Sequence, residues 1–105
     1  MQKFPHLRVI GAHFGGWSIW EEATAKLAGQ PHFYVDCSSS LYALAPETAK
    51  RLFYAYGTDR VLFGTDYPMW RPDEELQRFA AVGLTEREQR QVLYENGARL
   101  LGLPL

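Results

Sequence analysis

Two short segments of this sequence carry side chains able to do chemistry. In Gly11-Ala12-His13-Phe14-Gly15-Gly16 an imidazole follows an apolar run and precedes two glycines, which let the backbone turn tightly or approach a ligand. In Phe63-Gly64-Thr65-Asp66-Tyr67-Pro68 a carboxylate follows an apolar run and a glycine, and Pro68 forces the chain to turn. A carboxylate so placed can ligate a metal, orient an attacking water or act as a base, and a histidine beside it can move protons near neutral pH. Each also has a plainer reading: His13 as a structural residue beside glycines, Asp66 as an Asx turn ahead of Pro68. Of the residues around them, Tyr67 and Trp70 are candidate substrate-binding side chains and Met69 could join them, whereas Trp17, in helical register with Trp20, is assigned to packing. Asp36 and Ser38 are assigned to fixing a loop and Arg71 to a solvated surface; Cys37, flanked by serines with no CxxC, is assigned to a small buried apolar position.

The elements that must hold these groups are three short β-rich runs at 7–12, 32–36 and 60–63, too short for helices. Apolar residues on both faces predict parallel strands covered on both sides. Between them lie helical patterns. The first carries Trp17, Trp20, Ala23, Thr24 and Leu27, opened by a Ser18/Glu21 capping box and stopped by Gly29. The second starts at Pro46, lines one face with Ala49, Leu52, Phe53 and Tyr56, and ends at Gly57. After the third strand, Asp73 is predicted to cap a helix carrying Leu76, Phe79 and Ala80 that ends at Gly83. A Thr85/Glu88 box then opens a last helix with Val92, Leu93 and Leu100 on its inner side and a break at Asn96-Gly97. His13, Asp36 and Asp66 each follow a strand directly, at intervals of 23 and 30 residues. A (β/α)8 barrel of roughly 250 residues allots about 31 to each βα unit, so an α/β chain of three units and a helical tail is expected, too short to close a barrel. No G-x-G-x-x-G or P-loop follows any strand, which weakens the alternative of an open doubly wound sheet.

The whole chain narrows the function classes. Its 105 residues are 47% hydrophobic and 22% charged with a formal net charge of -1, the composition of a globular domain, or one piece of a larger one. Eleven basic residues are scattered among twelve acidic ones with no basic run, so neither nucleic acid nor a membrane surface is expected as a partner. One cysteine, no signal-peptide pattern and no span long enough for a bilayer point to a reduced, cytoplasmic setting. Fifteen aromatic residues are a heavy load for so small a domain, which suggests apolar surface meant for a neighbour.

His13-Phe14-Gly15-Gly16 at the end of one strand, with Phe63-Gly64-Thr65-Asp66-Tyr67-Pro68 two units later, resembles the carboxyl-terminal part of the amidohydrolase-2 family. These are metal-dependent TIM-barrel enzymes related to aminocarboxymuconate semialdehyde decarboxylase. The resemblance covers nearly the whole chain: the lead-in Lys3-Phe4-Pro5-His6-Leu7, Tyr34-Val35-Asp36-Cys37-Ser38, the run 57–66, and the tail Tyr94-Glu95-Asn96-Gly97-Ala98-Arg99-Leu100-Leu101. It implies that the strands are the sixth, seventh and eighth of a barrel. It also implies that His13 is an acid/base or substrate-polarising group and that Asp66 is a metal ligand that also hydrogen-bonds a metal-bound water. The implied cofactor is a divalent metal, zinc by expectation, and the implied partner a small carboxylated or cyclic substrate, hydrolysed or non-oxidatively decarboxylated, with a homodimer of the full-length enzyme left open.

The family's H-x-H and further metal-binding histidine have no counterpart, since His6 and His32 fall at strand starts, away from the site. One ligand is too few for a mononuclear zinc site, so the chain alone is expected to be inactive. Residues 1–105 read as one carboxyl-terminal barrel segment of a longer enzyme, because Met1 falls inside a family-like stretch. The alternative is a truncated, inactive α/β fragment that acts, if at all, as a binding module through its strand edges and aromatic surface.

Overall fold

The computed structural model describes residues 7–104. Strands β1 (Val9–Gly11), β2 (Phe33–Asp36) and β3 (Val61–Leu62) form one sheet in that order, every pair parallel. All three fall inside the runs expected from sequence. Helix α1 (Trp20–Leu27) links β1 to β2, α2 (Pro46–Tyr56) links β2 to β3, and α3 (Pro72–Ala81) follows β3. The architecture is α/β, three βα units and a helical tail, as the strand spacing predicted.

Register places Val9 beside Phe33, Gly11 beside Val35 and Val35 beside Val61, so these side chains share one face. That face carries the core, where Phe33, Val35 and Val61 pack with Leu52 and Phe53 of α2 and Phe79 of α3. Rings interlock across the elements, Phe14 meeting Phe53 edge-on at 5.2 Å and Phe53 meeting Phe79 at 5.8 Å. The expectation of strands covered on both sides holds for this face only. On the other, Ile10 is 49% exposed and Tyr34 and Leu62 are only partly buried. A closed barrel fills that side with side chains from strands across its axis, and three strands do not curve far enough to cover their own inner face.

Helix α2 forms as read, with Pro46 in its first turn, Ala49, Leu52, Phe53 and Tyr56 buried, and Gly57 at the end with φ +98. Two other starts differ. Ser18 does not cap α1: it sits at φ +67, Ile19 precedes the helix without a side-chain cap, and Glu21 instead reaches Arg51 of α2 at 2.7 Å. Asp73 does not cap α3 either; Pro72 takes the first position, Arg71 precedes it, and Asp73 lies in the first turn paired with Arg71 at 2.8 Å. On α3, Phe79 is buried while Leu76 is 45% exposed.

The Thr85/Glu88 capping box forms with both reciprocal bonds, at 3.1 and 2.9 Å, and opens a continuous helical run over 86–101. It comprises α4 (Glu86–Arg90), a π-helical turn (Gln91–Glu95) and α5 (Asn96–Leu101). The expected break at Asn96-Gly97 is therefore absent, and the irregularity is the π turn just before it. Val92 is buried but Leu93 is 44% exposed. This turn docks on β3: the Phe63 N–H donates to Val92 O at 3.1 Å, and the buried Asn96 amide donates to Thr58 O and Val61 O at 2.6 and 2.8 Å. Among the described residues no helix is long and apolar enough to cross a membrane. The lead-in 3–6, His6 included, lies outside the described residues.

Candidate active site

The segments leaving the carboxyl ends of the strands converge, as parallel α/β units require. His13 follows β1, Ser38-Ser39-Ser40 follows β2 and Asp66 follows β3. A cleft of ≈ 410 Å³ opens there, lined by His13, Ser39 and Asp66 with Trp17, Tyr42, Met69 and Trp70. Tyr67, 74% exposed, is not among the lining residues, and Arg71 is an exposed surface residue paired with Asp73. Trp17, assigned to packing from its register, is 54% exposed and lines the cleft, because α1 starts three residues after it.

His13 is aimed by its neighbours. Residues His13–Gly15 make a left-handed turn, with φ +57, +53 and +82. Phe14 anchors that turn: its ring is fully buried and its carbonyl accepts from Tyr56 Oη at 2.8 Å. Gly15 suits this turn because its φ of +82 would strain any other residue, and a Cβ there would crowd Leu27 at 3.0 Å and the Tyr56 hydroxyl at 3.1 Å. Asp36 Oδ1 accepts from the His13 N–H and the Ser38 N–H, each at 3.0 Å, and from the Ser38 hydroxyl at 2.5 Å. Asp36 and Ser38 are thus loop-fixing residues, as their types suggested.

These bonds also settle the tautomer of the ring. His13 Nδ1 lies 2.9 Å from Ser38 O and 2.8 Å from Ser38 Oγ. A carbonyl only accepts, and the hydroxyl has already given its proton to Asp36, so Nδ1 must be the donor. In the neutral ring Nε2 then carries the lone pair, and among the described residues it has no hydrogen-bond partner.

Asp66 stands at φ +58, a conformation aspartate tolerates better than most residues. Its Oδ2 accepts from the Ser39 hydroxyl at 2.8 Å, and its other oxygen meets no donor among the described residues. Ser39 accepts in turn from Trp70 Nε1 at 2.9 Å, and Trp70 stacks on Tyr42 with centroids 4.5 Å apart. Ser40 accepts from Trp20 Nε1 at 2.8 Å, so each of the three serines fixes a different aromatic or catalytic candidate. Ser39 and Tyr42 were not singled out from sequence; the available signal was three consecutive hydroxyls directly after a strand. Cys37 beside them is fully buried and has its thiol pushed up to about 12, chiefly by burial.

Asp66 fits the role of one anionic metal ligand, with an oxygen open to the cleft. Among the described residues no three His, Cys, Asp or Glu side chains converge, and His32 lies at the start of β2, on the opposite end of the sheet. The described residues therefore do not complete a metal site.

The amidohydrolase family pattern matches residues 1–103. The chain belongs to this family. It is similar to solved amidohydrolase-type structures. An uncharacterised TIM-barrel protein from Bordetella bronchiseptica superimposes with a TM-score of 0.77 at 28% identity over 96% of this chain and 36% of that one. Dihydroxybenzoic acid decarboxylase from Polaromonas, solved with manganese and 2-nitroresorcinol, gives 0.71 at 22% identity over 96% and 35%. A zinc-bound amidohydrolase from Burkholderia multivorans gives 0.75 at 19% over 98% and 46%. No curated relative matches the chain significantly. The chain thus spans 35–46% of the length of these three barrel chains, and its fold is part of one.

Proposed function

We propose that residues 1–105 supply the carboxyl-terminal three βα units of a divalent-metal-dependent amidohydrolase-type enzyme acting on a small carboxylated or cyclic substrate, by hydrolysis or non-oxidative decarboxylation. The observation that carries the reading is the His13 tautomer. An Nε2 lone pair is held on the cleft shared with Asp66, by bonds that use up the other side of the ring. Family membership and the metals in the related manganese and zinc structures support the cofactor class.

In this reading Asp66 contributes one ligand oxygen, and His13 Nε2 accepts a proton from, or returns it to, the reacting group. The chemistry a divalent ion supplies when bound is a polarised substrate oxygen and a water of pKa near about 7. Trp17, Tyr42 and Trp70 offer flat apolar walls that hold a ring and exclude water from one side. Hydrolysis and decarboxylation need the same two side chains and differ in whether water is admitted beside the substrate.

The test is a pair of variants in the full-length enzyme. Asp66→Asn is expected to abolish turnover and lower metal content, whereas His13→Ala abolishes turnover and leaves metal content nearly intact. Equal metal loss in both would contradict the roles.

A further inference from the structure

Ser39 is 6% exposed and holds a left-handed backbone, φ +49, that glycine would adopt more cheaply. Its hydroxyl is what glycine lacks. The polarity of its two bonds is forced, because an indole N–H only donates and an ionised carboxylate only accepts, so the chain runs Trp70 Nε1–H to Ser39 Oγ–H to Asp66 Oδ2. Neither neighbouring serine can substitute: Ser38 is committed to Asp36 and His13, and Ser40 to Trp20 and the Ser38 carbonyl. Trp70 is itself held by the Tyr42 ring and by the Arg78 guanidinium 5.5 Å from its centroid.

We infer that Ser39 is a positioning residue that ties the Asp66 carboxylate to the aromatic wall of the cleft, so that one carboxylate oxygen is occupied and the other is presented, and so that a ligand stacking on Trp70 is felt at Asp66. The inference deepens the proposed function and, for its effect on turnover, rests on it. The lock itself is a property of this chain's side chains and is measurable without metal.

Indole N–H resonances of the ¹⁵N-labelled full chain, with Trp70 assigned through Trp70→Phe, read the lock directly. Asp66→Ala is expected to shift the Trp70 indole resonance in the native background and to leave it unmoved in Ser39→Gly, a variant that removes the hydroxyl while easing the backbone. An equal response to Asp66→Ala in both backgrounds, or none in either, overturns the lock. In the full-length enzyme Ser39→Gly lowers kcat by about 10- to 100-fold, the usual effect of removing a partner of a metal-ligating carboxylate, with KM little changed. An unchanged kcat overturns the positioning role. If the native enzyme neither binds Mn²⁺ nor turns over, the proposed function fails, and the indole cycle still decides Ser39.

Discussion

At the residue scale the site is built from groups whose second partner leaves no choice for the first. Ser38 receives His13 Nδ1–H because its own proton goes to Asp36, and Ser39 gives its proton to Asp66 because the Trp70 indole N–H can only donate to it. The residue types of His13 and Asp66 were legible as chemistry, while the tautomer and the open carboxylate oxygen were not, because both depend on serines brought in from another strand. Cys37 shows the opposite extreme, a group made inert by its surroundings. With burial raising its thiol from an ordinary 9.0 to about 12, the native chain keeps a proton that the unfolded chain releases. Stability from this group is full below pH 9 and is lost as pH rises toward 12. A thiol reagent at pH 8 is therefore expected not to label the folded chain. Folding stability measured from pH 8 to 11 should fall less steeply in Cys37→Ala than in the native chain.

At the element scale two near-identical capping signals behave differently. Thr85 caps α4 because an extended residue leads straight into the helix, whereas Ser18 follows a left-handed turn that uses the preceding residues to swing His13 over the sheet. Short-range pattern alone could not separate them. The helical tail holds β3 through the Val92 carbonyl of its π turn and through Asn96 at the start of α5, a buried amide that donates to the carbonyl of Thr58, ahead of the strand, and to that of Val61 within it. Asn96→Ala leaves those carbonyls without donors in a buried place and is expected to destabilise the chain by about 1–3 kcal/mol in urea unfolding. Arg99, which donates to the Asn96 side-chain oxygen at 2.9 Å, should matter less because water can replace it.

At the scale of the whole molecule the three units place every candidate group at one end of the sheet and leave the other sheet face partly open. Among the described residues the metal ligands do not reach three, so the 105-residue chain dialysed against buffer is expected to retain no stoichiometric zinc or manganese by elemental analysis. One ion per chain after dialysis would contradict the single-ligand reading of Asp66. What the amino-acid sequence determined by itself was the α/β order, the strand positions, helix α2, the Thr85 cap and the two motifs that mark the family, since propensity, periodicity and short spacing are local properties of the chain. What only the tertiary structure decided was which side chains meet: Trp17 and Tyr42 on the cleft, Ser38 and Ser39 on His13 and Asp66, the π turn on β3. Those contacts join residues separated by tens of positions, and it is parallel pairing of three distant strands that brings them within a hydrogen bond of one another.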